Sequence, residues 1–64
     1  MDWPKKVKEI RGALLLTQTE FADVLGISFA TVNRWENGHH IPTMAQRRQL
    51  KTICEENDIE WREN

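Results

Sequence analysis

The sequence predicts an all-α fold of four short helices, and three observations carry that reading. Apolar residues recur at helical spacing, as Trp3, Val7, Ile10 and Leu14 do, and no stretch alternates in the manner of a strand. Each helical stretch opens on an Asp, Thr or Ser suited to capping a helix. Glycine and proline then punctuate the intervals. With 64 residues, 39% hydrophobic and 30% charged, the chain has material for one core, so residues 1–64 are expected to form a single domain.

The first helix is expected from about Trp3 to Leu15, with Asp2 as its N-cap and Pro4 in its first turn. In Thr17-Gln18-Thr19-Glu20 the Thr17 hydroxyl can cap the Glu20 amide while the Glu20 carboxylate reaches back to the Thr17 amide. Leu16 and Phe21 flank this box as a hydrophobic staple, and Gly26 ends the second helix by supplying a positive φ. Ser28 caps the third helix, and Ile27 with Val32 repeats the staple. Only Gly26, Ile27 and Ser28 separate the two helices. A glycine turn between two short stapled helices is what a helix-turn-helix requires, here over about residues 17–37. Ala22 is small where the two helices would cross.

Asn37-Gly38 closes the third helix, and Pro42 keeps the following loop from continuing it. Thr43 and Gln46 form a second capping box. The fourth helix should then reach about Glu56, with Met44, Leu50, Ile53 and Cys54 on its inner face. Ile59 and Trp61 suggest a last short turn, with Trp61 either folded back on the core or set in a dimer interface.

The net charge of -1 is not the bulk signature of a nucleic-acid binder, so the distribution matters more than the sum. Residues 39–54 hold Arg47, Arg48 and Lys51 with no acid. The tail, about 55–64, sets Glu55, Glu56, Asp58, Glu60 and Glu63 against Arg62 alone. One cysteine, Cys54, excludes an intramolecular disulfide and suits a reducing, cytoplasmic setting. No apolar run approaches the roughly 20 residues of a membrane span. His39-His40 lacks a third ligand at a zinc-site spacing, and neither a nucleophile with its base nor a phosphate-cradling glycine loop is present. The chain is therefore read as a non-enzyme with no metal and no cofactor. Met1 and the full helical set make it read as a whole protein.

The segment Leu16 to Pro42, LTQTEFADVLGISFATVNRWENGHHIP, resembles the Cro/C1-type helix-turn-helix family, the lambda-repressor-like or xenobiotic response element domains. The likeness rests on the Thr-Gln opening, Ala22, the Gly-Ile-Ser turn, the stretch Val32 to Gly38 and Pro42, and it extends from about Val7 to Ile53. It implies a compact bundle of four to five short helices that places the third helix in the major groove of duplex DNA. It further implies base reading by Phe29, Ala30, Asn33 and Arg34, and phosphate contacts from Gln18, Ser28, Thr31, Asn37 and Gly38. Arg34 is suited to guanine O6 and N7, whereas Phe29 and Ala30 suit thymine methyl groups. Arg11 and Glu36 look like the family's internal ion pair. Two features depart from the pattern: Arg47 and Arg48 stand where apolar residues are usual, and the tail is acidic.

The resulting expectation is a cytoplasmic transcriptional regulator, most simply a repressor, bound as a homodimer to an inverted-repeat operator. Two other readings compete with it. An antitoxin would repress its own operon and hold a toxin, and a module of the same fold without DNA binding would act on a protein partner. The acidic tail with Trp61 would carry toxin binding, whereas the net negative charge and Phe29 favour the interaction module and Gln18, Arg34 and Asn37 at their family positions oppose it.

Overall fold

A side-chain oxygen caps the start of every helix in the computed structural model, which describes residues 1–62. The helices are α1 (Trp3–Ala13), α2 (Gln18–Leu25), α3 (Phe29–Glu36) and α4 (Met44–Glu56), and no strand occurs among the described residues. Asp2 accepts from the Lys5 amide at 3.2 Å, Thr17 from Glu20 at 3.1 Å, Ser28 from Thr31 at 3.2 Å and Thr43 from Gln46 at 3.2 Å. Both capping boxes close, because the Glu20 and Gln46 side chains accept from the Thr17 and Thr43 amides, each at 2.9 Å.

The helix ends share one device. A left-handed residue follows or closes each helix, namely Leu15, Gly26, Gly38 and Asp58. The next amide then bonds a carbonyl five residues back: Leu16 to Arg11, Ile27 to Ala22, His39 to Arg34 and Ile59 to Cys54. This corrects the expected end of the first helix. α1 stops at Ala13, with Leu15 turned to φ 58° and 90% exposed, because this closure reverses the chain two residues early.

Trp3, Val7 and Ile10 of α1, Phe21, Ala22 and Leu25 of α2, Val32 and Trp35 of α3, and Leu50 and Cys54 of α4 form the core. Leu16 and Ile27, the outer halves of the two staples, pack against it. Ala22, only 2% exposed, lies on the α2 face that meets its neighbours. Met44 departs from its expected inner position and is 60% exposed. It is the first residue of α4, where its side chain lies out in solvent with its sulfur 3.7 Å from Arg47 Nη1.

Arg47 is the reason α4 can carry a cation where an apolar residue is usual. Its guanidinium lies 5.2 Å from the centre of the Trp3 ring, and its Nε donates to the Pro42 carbonyl at 3.1 Å. Trp61 meets Trp3 as well, with ring centroids 5.9 Å apart and planes tilted by 53°. Residues 59–62 form no helical turn, contrary to expectation, since left-handed Asp58 directs the chain out of α4. Ile59 and Trp61 nonetheless pack on the core, and Lys6 Nζ donates to the Glu60 carbonyl. Of the acidic tail, Glu55, Glu56, Asp58 and Glu60 are exposed, and Glu63 lies outside the described residues. No helix among the described residues is long and apolar enough to cross a membrane.

Candidate nucleic-acid interface

Period 3.6 divides α3 into two faces. Val32 and Trp35 are fully buried, whereas Phe29 is 50% exposed and Ala30 and Arg34 are exposed. Ala30 and Arg34 stand one turn apart on the outer face. Arg34 makes no side-chain hydrogen bond or ion pair among the described residues, so its five N–H donors face solvent.

Behind this face runs a chain of polar side chains that joins three helices. Arg11 on α1 donates to Glu36 through Nε at 2.7 Å and Nη2 at 2.9 Å, and its Nη1 donates to the Leu16 carbonyl at 3.1 Å. Gln18 Nε2, at the start of α2, donates to the same carboxylate at 3.0 Å. Gln18 Oε1 accepts from Asn33 Nδ2 at 3.3 Å, and Asn33 Oδ1 accepts from Asn37 Nδ2 at 3.0 Å. Each amide thus spends one donor and one acceptor or a single donor inside the protein, and its remaining valences point elsewhere.

Glu36 is 4% exposed, and burial alone would push its carboxyl pKa up. The hydrogen bonds from Arg11 and Gln18, with the charges of Arg11 and Lys8, outweigh burial and hold it below the ordinary range. Its bond to Glu36 raises the Arg11 guanidinium in turn. The pair is therefore fully ionised at neutral pH. Burial pushes the Cys54 thiol up, the wrong direction for a nucleophile.

The residues expected to meet DNA fall into three groups. Phe29, Ala30 and Arg34 share the exposed part of α3. Gln18, Asn33 and Asn37 belong to the polar chain behind it. Ser28 and Thr31 bond one another through their hydroxyls at 2.9 Å beside the α3 cap, and Gly38, at φ 76°, lies in the turn after Asn37. Sequence reasoning anticipated the Arg11–Glu36 pair but not Gln18 as its third member. The signal was a short amide at the first position of α2, which also suits a phosphate contact or simple helix propensity.

Two short helices meeting at the Gly26-Ile27-Ser28 turn, the second exposed along its outer face, define a helix-turn-helix DNA-binding domain. The chain belongs to the helix-turn-helix family of the Cro/C1 type, whose family model matches residues 7–46. It is also similar to the type II methyltransferase M.SsoII of Shigella sonnei, 49% identical over 52 residues that cover 77% of this chain. The chain spans only 13% of that relative's length. Among solved structures no significant match is found.

Proposed function

We propose that this domain binds double-stranded DNA sequence-specifically, with α3 in the major groove, and represses transcription without catalytic activity of its own. One observation carries the reading: Arg34 is exposed and uncommitted one turn after Ala30, with Phe29 exposed at the start of the same helix, whose other face is anchored in the core. Arg34 donates both its terminal groups to a guanine edge, and Asn33 offers its spare amide valences beside it. Gln18, Ser28, Thr31, Asn37 and Gly38 meet backbone phosphates and set the register, supported by free amides at the starts of α2 and α3.

A single module covers only about 600–1,000 Å² on DNA, so two copies on an inverted repeat supply the affinity. Their recognition helices would lie about 34 Å apart, one helical turn of DNA. The test is selection of bound duplexes from a random pool, first at low and then at physiological salt. Enrichment of an inverted repeat is the expected result. Weak, salt-sensitive binding without enrichment would overturn specific readout. A second reading draws on the likeness to M.SsoII: the domain serves as the DNA-addressing unit of a methyltransferase, favoured by 49% identity over 52 residues. In that case the enriched sequence would lie in the promoter or recognition site of such an enzyme.

A further inference from the structure

Phe29 is the one large apolar side chain on α3 that the core does not take up, standing 50% exposed at the first position of the helix. Resting on the reading that α3 enters the major groove, we propose that Phe29 senses the C5 methyl group of a pyrimidine rather than the identity of the base that carries it. Thymine and 5-methylcytosine are then accepted alike, and binding responds to cytosine C5 methylation at that position of the operator.

Thymine and cytosine differ in the major groove at one polar group, an O4 acceptor against an N4 amino donor, and in the methyl that thymine has and cytosine lacks. Telling O4 from N4 takes a hydrogen-bonding side chain. A phenyl ring has none, and its neighbour Ala30 offers only a methyl. The two nearest hydroxyls, Ser28 and Thr31, bond one another at 2.9 Å, and Ser28 also caps the Thr31 amide. Asn33, one turn further on, is held at both amide atoms between Gln18 and Asn37. The polar side chains next to Phe29 in the sequence thus each already hold a partner within the protein, while the group able to bury a methyl is left in water. Contact with a C5 methyl removes apolar area from both sides, and contact with an unmethylated C5 edge removes less.

Arg34 bounds where this base lies. It follows Phe29 by five residues, about 7.5 Å along the helix axis at 1.5 Å per residue. With base pairs spaced about 3.4 Å apart, the methylated pyrimidine falls within about three base pairs of the guanine that Arg34 reads.

The experiment uses the intact chain and the duplex that selection enriches. Each thymine is replaced in turn by uracil, which deletes the methyl and keeps every hydrogen-bonding group. One position per half-site, within about three base pairs of the Arg34 guanine, should weaken binding about four-fold, the worth of one buried methyl group. Placing cytosine there should weaken binding, and 5-methylcytosine should restore the same factor. In Phe29→Ala, an exposed substitution whose urea midpoint should match the parent, uracil and thymine, and cytosine and 5-methylcytosine, become equivalent. Specific binding indifferent to uracil at every position, or methyl discrimination that persists in Phe29→Ala, overturns the methyl-sensing role while leaving DNA reading intact. A pool that enriches no duplex overturns both.

Discussion

Arg11 holds Glu36 through both carboxylate oxygens, Nε to Oε2 at 2.7 Å and Nη2 to Oε1 at 2.9 Å, across 25 residues of chain. The pair ties the C-terminal turn of α1 to the last residue of α3, and Gln18 brings α2 to the same carboxylate at 3.0 Å. Because Glu36 is buried and Arg11 only partly so, removing the cation leaves a charge with little water to solvate it. Arg11→Ala should therefore lower folding stability by about 3 kcal/mol, a large share of what so small a domain has. Urea unfolding checks this. A double variant with Glu36→Ala should cost clearly less than the two single losses added together, since either one already breaks the pair.

The same pair makes stability fall in acid. The carboxyl of Glu36 titrates below its ordinary value in the folded chain, so the unfolded chain takes up a proton first as pH falls. Its contribution is complete above the ordinary glutamate value of about 4.3 and is lost as pH drops through the lower, native value. Glu20, lowered by the Thr17 amide, acts in the same direction. Urea midpoints followed from pH 7 to pH 3 should fall less steeply in Glu36→Gln than in the parent, and equal slopes would remove Glu36 from the account.

Gln18 and Arg34 should separate in their effects. Arg34→Ala should weaken the selected duplex by about 1–3 kcal/mol and relax preference at one base pair, with folding unchanged. Gln18→Ala should weaken all duplexes alike. It should also lower stability by about 1 kcal/mol, because Glu36 loses a hydrogen bond and Asn33 loses its acceptor. Parallel urea titrations and binding to selected and scrambled duplexes measure both. Uniform losses from Arg34→Ala would contradict base reading.

Much of the fold was legible because local chemistry and tertiary packing agree. Asp2, Thr17, Ser28 and Thr43 all cap as their positions imply, and Gly26 and Gly38 both turn left-handed. Two of the misreadings share one cause. A first helix reaching Leu15 and a last turn at Ile59 and Trp61 both fail because Leu15 and Asp58 make the same left-handed closure with side chains that do not advertise it. The outward face of α3 followed from periodicity. The polar chain behind it did not, since Gln18, Asn33 and Asn37 meet only after three helices have packed. Arg47 against Trp3 is another contact between distant residues, invisible to a reading that treats a basic residue as surface.

The tail anchor supplies another prediction. Trp3 keeps 8% of its surface exposed while packing against Trp61 and Arg47. Truncation after Asn57 removes Ile59, Trp61 and the Glu60 carbonyl that Lys6 binds. The truncated chain should lose about 1–2 kcal/mol, combining an aromatic pair with part of its buried area. Trp3 should then meet more water, so the remaining tryptophan emission should shift to the red. Unchanged emission from the truncated chain would mean that the tail does not shield Trp3 in solution.

Leu15 offers the opposite sign. It sits at φ 58°, where a side chain with a Cβ is strained by about 1–2 kcal/mol, and at 90% exposure it contributes no packing to offset that strain. Glycine meets the same φ without strain, and the closing bonds from Leu15 to Gly12 and from Leu16 to Arg11 are backbone bonds that survive the substitution. Glycine also gives the unfolded chain more freedom, which takes back roughly 0.5–1 kcal/mol. The net expectation for Leu15→Gly is a gain of up to about 1 kcal/mol in urea unfolding. Leu15→Ala keeps the Cβ and hence most of the strain, so it should gain little. A gain from alanine equal to that from glycine would point to removal of the exposed leucine side chain, rather than relief of backbone strain, as the source.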